Sequence, residues 1–177
     1  MMPSELRWKA FRRVQWVWVA WERLYMHLHP VTPVRTGSLF SIRQKGNVLE
    51  LHLDSRALNR MRDRQGYSTF RAVRTLRDDL NALATRFRAG EFPGVASIEG
   101  TSLMGEAGAV LGFAIRPLPR TLRGGLQHYF MVGLDAIYHP RGLRTRSIRR
   151  WPVVATMRVA ALLERYPPRS ARSTVAR

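Results

Sequence analysis

Three side chains suited to proton transfer or ligand recognition recur at alternate positions in VLELHLDSR, residues 48–56: Glu50, His52 and Asp54. Leu49, Leu51 and Leu53 fill the places between them. In an extended chain alternate side chains point to opposite faces. The spacing therefore predicts a strand with an acid–imidazole–acid row on one face and leucines on the other. A histidine between carboxylates supplies a proton carrier that titrates near neutrality. Imidazole and carboxylate also suit a divalent cation. Same-face neighbours on a strand stand roughly 6.5–7 Å apart at their α-carbons, so ligation by all three would require them to converge. One polar face on an antiparallel strand is also the ordinary solvent-facing pattern. Three readings stay open for this row: a wet sheet face, a binding or orienting surface, and a catalytic pair. The candidate binding set is Glu50, His52, Asp54, Arg56 and Arg116. No catalytic residue, metal or cofactor is assigned.

The elements that must position this row follow from periodicity and turn chemistry. LFSIRQ (39–44) and VLELHLD (48–54) flank Lys45-Gly46-Asn47, which predicts a β-hairpin. A short helical piece from Ser55 would carry Arg56, Arg60 and Arg64 on one face. A helix is expected over 68–89, where Phe70, Val73, Leu76, Leu80, Leu83, Ala84 and Phe87 form an apolar stripe before Gly90. A second hairpin is expected over 94–117, its two β-leaning runs separated by Gly105-Glu106-Ala107-Gly108. Further helices are expected over 121–136 and from Pro152 to Tyr166, with Pro152 in the first turn. A long N-terminal helix over 4–29 is predicted from Phe11, Val14, Trp18, Trp21, Tyr25 and Leu28, closed by Pro30 and Pro33. Its stripe either packs on the core or lies at a membrane interface. The expected fold class is α+β: a small antiparallel sheet from two hairpins packed with helices, in one domain over 1–166. A basic, small-residue tail over 167–177 is expected to be disordered.

The surface is dominated by charge. The 177 residues carry a formal net charge of +18, and Lys9 and Lys45 are the only lysines. Arginine stays charged at any ordinary pH and grips phosphate or carboxylate with two parallel hydrogen bonds. A coding bias would give the same arginine excess without functional cause, yet either origin leaves a surface that attracts polyanions. The stretch RGLRTRSIRR places Arg141, Arg144, Arg146, Arg149 and Arg150 close together as a candidate anionic-surface contact.

Several function classes are excluded or left without support. With no cysteine there is neither a disulfide nor a thiolate metal site. No nucleophile elbow, P-loop or H-E-x-x-H pattern is present. His27 and His29 sit where a helix C-terminus favours a cation, and His128 and His139 are isolated. A membrane span needs roughly 20 mostly apolar residues. The runs 125–134 and 151–163 fall short of that, and Arg158 interrupts the second. The N-terminal run lacks a cleavage pattern, so a cytoplasmic protein is expected, peripheral at most at the inner membrane surface.

ELHLD (50–54), the helix after it, IEGTSLM (98–104), LGFAIRPLP (111–119), YHPRG (138–142) and LLERY (162–166) resemble, in order and spacing, the YkoP-like family of bacterial proteins. The resemblance covers most of the chain from Val14 onward. It implies free-standing small proteins or modules joined to polysaccharide deacetylases, and hence envelope polysaccharide or glycolipid metabolism. The Asp and His metal pattern of those deacetylases is missing here, so their activity does not carry over. The family pattern often reads ELH, a bulky residue and Asn; here Asp54 brings a charge where an amide is common. Asp54 also suits capping a helix from Ser55, worth on the order of 1 kcal/mol.

The resulting expectation is an accessory, non-catalytic module of envelope glycan or glycolipid metabolism. Its partners would be anionic lipid or a phosphorylated sugar carrier, together with polysaccharide-processing enzymes. Trp16, Trp18 and Trp21 suit a lipid interface. The alternative is a nucleic-acid-binding protein held by non-specific charge, although no helix-turn-helix, RNA-recognition or zinc module is visible. An enzyme using Glu50 and His52 on a sugar or phosphate substrate is the third reading.

Overall fold

The computed structural model describes residues 30–54, 69–103, 105–138 and 150–168, together with Trp16, Val17, Ala20, Trp21, Arg23, Leu24, His27 and Leu28. Its elements run β1 (Thr32–Pro33), β2 (Phe40–Lys45), β3 (Val48–Leu53), α1 (Thr69–Arg88), β4 (Ser97–Ser102), α2 (Gly105–Val110), β5 (Ala114–Pro117), α3 (Leu122–Tyr138), β6 (Val153–Arg158) and α4 (Val159–Arg165). The six strands form one sheet in the order β1-β2-β3-β4-β6-β5. With helices packed on it, the fold is α+β.

The first hairpin forms as its residues dictate. Lys45 pairs with Val48, Arg43 with Glu50 and Ser41 with His52. Gly46 takes φ of +58° at the first of the two turn positions. A II′ hairpin turn calls for glycine there, and its twist matches that of the strands. β3 and β4 run parallel, with Leu49 beside Ile98 and Glu50 beside Glu99. A parallel pair needs a long crossover connection, and α1 lies within it. Leu76, Leu80, Leu83 and Ala84 are buried on one face of that helix, as the stripe predicts. They meet Leu49, Leu51, Ile42, Ile98 and Met157 from the sheet and Leu162 from α4 in one core. Each fully buried leucine or isoleucine contributes about 1.5–3 kcal/mol over exposure.

Three expectations are corrected. The second hairpin does not form, because β4 pairs with β6 rather than with β5, and β5 also pairs with β6. The glycine-containing stretch between them is the short helix α2, not a turn. Gly105 and Gly108 let that helix lie closely on Val153, Ile115 and Ala155. The helix expected from Pro152 to Tyr166 is instead the strand β6 followed by α4. Val153, Val154 and Thr156 are β-branched and favour the pleated surface.

The long N-terminal helix packed on the core is not supported either. The described residues between 16 and 28 have helical backbone, but all are exposed, including Trp21 at 57% and Leu28 at 62% of the expected stripe. The core cluster is made by the sheet, α1, α4 and the 111–113 turn, and contains none of them. The piece from Ser55 and the tail beyond residue 168 lie outside the described residues. Among those described, no helix is long and apolar enough to cross a membrane.

Candidate functional site

The β3 alternation is realised. Leu49 and Leu51 are buried in the core, while Glu50 and His52 are half-buried on the outer face of the sheet. Glu50 is held by its cross-strand neighbour: Arg43 Nε donates to Glu50 Oε2 at 2.9 Å, and Arg43 Nη2 lies 2.6 Å from the same oxygen. Lys45 Nζ stands 3.9 Å from Oε1, and His52 Nε2 stands 3.7 Å from Oε2. Nε2 is itself shut away from solvent. The row is thus a cross-strand ion network whose carboxylate is already neutralised and whose imidazole nitrogen points into the network. It can orient the sheet face and fix the strand register. A proton carrier, by contrast, has to reach its substrate.

The remaining predicted residues do not converge on this network. Asp54 continues the ladder past β3 through its backbone N–H, which donates to the Leu39 carbonyl at 2.8 Å. Arg116 pairs with Val154, which pairs with Thr101. Continuing the β3–β4 register places His52 beside Thr101, so Arg116 and His52 share one row and one face. They are three strands apart, roughly 14 Å at the usual strand spacing. Arg56, Arg141, Arg144, Arg146 and Arg149 lie outside the described residues. Arg150 Nη2 stands 3.7 Å from Glu106 Oε1.

The structure also shows groups that the sequence reading passed over. Asp79 on α1 is completely buried. Its Oδ2 accepts from the backbone N–H of Leu39 at 2.7 Å and of Phe40 at 3.3 Å. Arg35 Nε sits 2.7 Å from Oδ1, an ion pair off hydrogen-bond geometry. This carboxylate ties the 34–40 loop to α1. A signal was present: Asp79 stands three residues after Leu76 and four before Leu83, inside the apolar stripe. A buried acid there has to be paired.

A second overlooked group lies between α1 and the end of α4. Arg77, Asn81, Arg165 and Tyr166 line a cavity of about 330 Å³. The Tyr166 hydroxyl is buried and donates to the Leu111 carbonyl at 2.8 Å. Burial raises its pKa above the usual phenol value, while the Arg165 and Arg77 guanidiniums pull the other way. A third cluster centres on Trp151, which stacks on His128 at 5.0 Å and donates to the Leu118 carbonyl at 2.6 Å. The Arg120 guanidinium lies 5.7 Å from the centroid of the same ring.

Large apolar side chains remain outside the core on two helical stripes. Val17, Trp21, Leu24 and Leu28, spaced four, three and four apart, are all exposed. On α3, Leu122, Leu126 and Tyr129 are exposed at the same kind of spacing. Arginine stands beside each stripe: Arg23 at the first, Arg120 and Arg123 at the second, all exposed. Among the described residues no group of three or more histidine and carboxylate side chains is placed to hold a metal ion.

No curated protein and no solved structure matches the chain. The family model of the YkoP domain matches residues 40–166, from the first residue of β2 to the tyrosine that closes α4. That span takes in the whole sheet except β1, with every helix packed on it, and the chain belongs to the YkoP domain family.

Proposed function

We propose that the protein is a binding module that rests on anionic membrane surfaces, where envelope glycolipids and lipid-linked sugars are handled. One observation carries this reading: two exposed apolar stripes, each bordered by exposed arginine, on a chain of net charge +18. A helix that offers leucine and tryptophan on one side and arginine beside them suits the boundary between headgroups and acyl chains. Arginine near such a surface adds attraction of about 1 kcal/mol per charge to anionic lipid. The ion network at Glu50 supports a binding rather than a catalytic reading, because its carboxylate is already engaged by Arg43.

Vesicle co-sedimentation tests it. The protein should pellet with vesicles containing phosphatidylglycerol, pellet weakly with neutral phosphatidylcholine vesicles, and be released by salt. Trp21→Ser and Leu126→Ser, both at exposed positions, should weaken binding without lowering the melting temperature. Partition near zero with both vesicle types would overturn the reading. So would a stable dimer in light scattering that both substitutions dissolve, since the stripes would then be covered by a second copy of the chain.

A further inference from the structure

The cavity between α1 and α4 combines features that a solvated charge does not need. Arg77 and Asn81 lie four residues apart on α1, and so on one face of that helix. Arg165 and Tyr166 come from the end of α4. Neither Arg77 nor Arg165 has a carboxylate within ion-pair distance among the described residues. Four other arginines do pair with acids: Arg35 with Asp79, Arg43 with Glu50, Arg86 with Glu91 and Arg150 with Glu106. Two exposed guanidiniums that have no counter-ion among the described residues, both lining one hollow, are a place for an anion from outside the chain.

Arg165 is also held in position. Its Nη2 donates to the Val110 carbonyl at 3.2 Å. Its side chain lies across Gly112, where an added Cβ would meet Arg165 Cδ and Nε at 2.6 Å. Gly112 has φ of +95°, so its missing side chain both allows the turn and clears the path of the guanidinium. Behind it, the Tyr166 hydroxyl is fixed on the Leu111 carbonyl. The carbonyls ending α4 would repel an anion, but Arg88 Nη2 takes those of Leu163 and Tyr166 at 2.7 and 2.8 Å. The space, about 330 Å³, falls at the small end of ligand pockets. It suits a single phosphate ester rather than a dinucleotide.

We propose that Arg77, Asn81 and Arg165 form a binding site for a phosphate monoester, with Arg165 preset by Gly112 and the Val110 carbonyl. The arginines grip the phosphate oxygens, and Asn81, whose Nδ2 donates to the Arg77 carbonyl at 2.9 Å, offers its amide oxygen to a hydroxyl of the esterified group. The phosphate could be carried by a soluble sugar phosphate or by a lipid headgroup, and the site would read the same chemistry in both.

Calorimetric titration with glucose 1-phosphate forms the soluble arm; sedimentation with phosphatidic acid vesicles, against phosphatidylglycerol vesicles of equal charge, forms the lipid arm. Replacing one guanidinium that holds a phosphate should weaken binding about tenfold or more. Arg77→Gln is the primary variant, because that exposed side chain makes no hydrogen bond or ion pair among the described residues and its loss should leave folding intact. Arg165→Gln and Gly112→Ala should follow it, with circular dichroism confirming the fold. Arg158→Gln, an equal change of charge at the exposed end of β6, is the control and should leave binding unchanged. Loss through Arg77→Gln in either arm, with Arg158→Gln silent, supports the site and identifies the source of the phosphate. Equal losses in both variants, or no effect of Arg77→Gln in either arm, overturn it. The membrane proposal fails separately, through Trp21→Ser and Leu126→Ser on phosphatidylglycerol.

Discussion

Asp79 and Glu50 are both acids with an arginine partner, yet they do different work on opposite faces of one sheet. Asp79 is fully buried and accepts from two backbone N–H groups as well as facing Arg35. Glu50 keeps 26% of its side-chain surface, and its ion-pair partners among the described residues are the side chains of Arg43, Lys45 and His52. Removing the first strands two backbone donors without water to replace the carboxylate. Removing the second lets solvent take its place. Burial, not the presence of an ion pair, decides how much each acid matters to the fold.

Four measurements break or sharpen that contrast. The largest effect is expected from Asp79→Ala, which should cost about 3–5 kcal/mol in urea unfolding, because it leaves the Leu39 and Phe40 N–H groups without their buried acceptor. A cost below that of Glu50→Gln would reverse the comparison. Leu49→Ala, on the inner side of β3, should cost about 3 kcal/mol through the lost contacts and the cavity. Tyr166→Phe should cost about 1 kcal/mol near neutrality through the lost bond to the Leu111 carbonyl. It also has a signature in pH. Burial raises the folded-state pKa of Tyr166, so the unfolded chain releases this proton first. The stability it contributes is fully present below about pH 10 and declines as pH rises past that value. Tyr166→Phe should therefore flatten the alkaline decline; an unchanged slope would dissociate the decline from this phenol. The smallest effect belongs to Glu50→Gln on the outer face, under about 1 kcal/mol, read from the shift in urea midpoint.

The same contrast explains what the sequence made legible. The β2–β3 hairpin and α1 could be read because their signals are local: Lys45-Gly46-Asn47 at the turn, alternation through 48–53, and a three-four stripe from Leu76 to Ala84. β6 was misread because the apolar run from Val153 continues into VAALLER, and periodicity alone does not separate a buried strand from a helix. The β-branched residues of its first half were the clue. Strand order was hidden for a different reason: β6 inserts between β4 and β5, a pairing that no local pattern announces. Of the candidate residues, Glu50 and His52 were found together because they belong to one strand. Arg116 shares their row but not their neighbourhood. Arg77 and Arg165 looked like ordinary surface charges, since only the packing of α4 on α1 brings them to one hollow.

The place of β6 governs when the molecule can be completed. This strand is made after both β4 and β5, yet among the described residues it is what bridges them. As the chain leaves the ribosome, β2 and β3 can pair with each other early, whereas β4 presents an unpaired edge on one side until Val153–Arg158 emerge. Pairings between distant parts of a chain form slowly, and an open strand edge invites association with other chains. Truncation ahead of Val153 should consequently yield aggregation in cells, not a smaller stable protein.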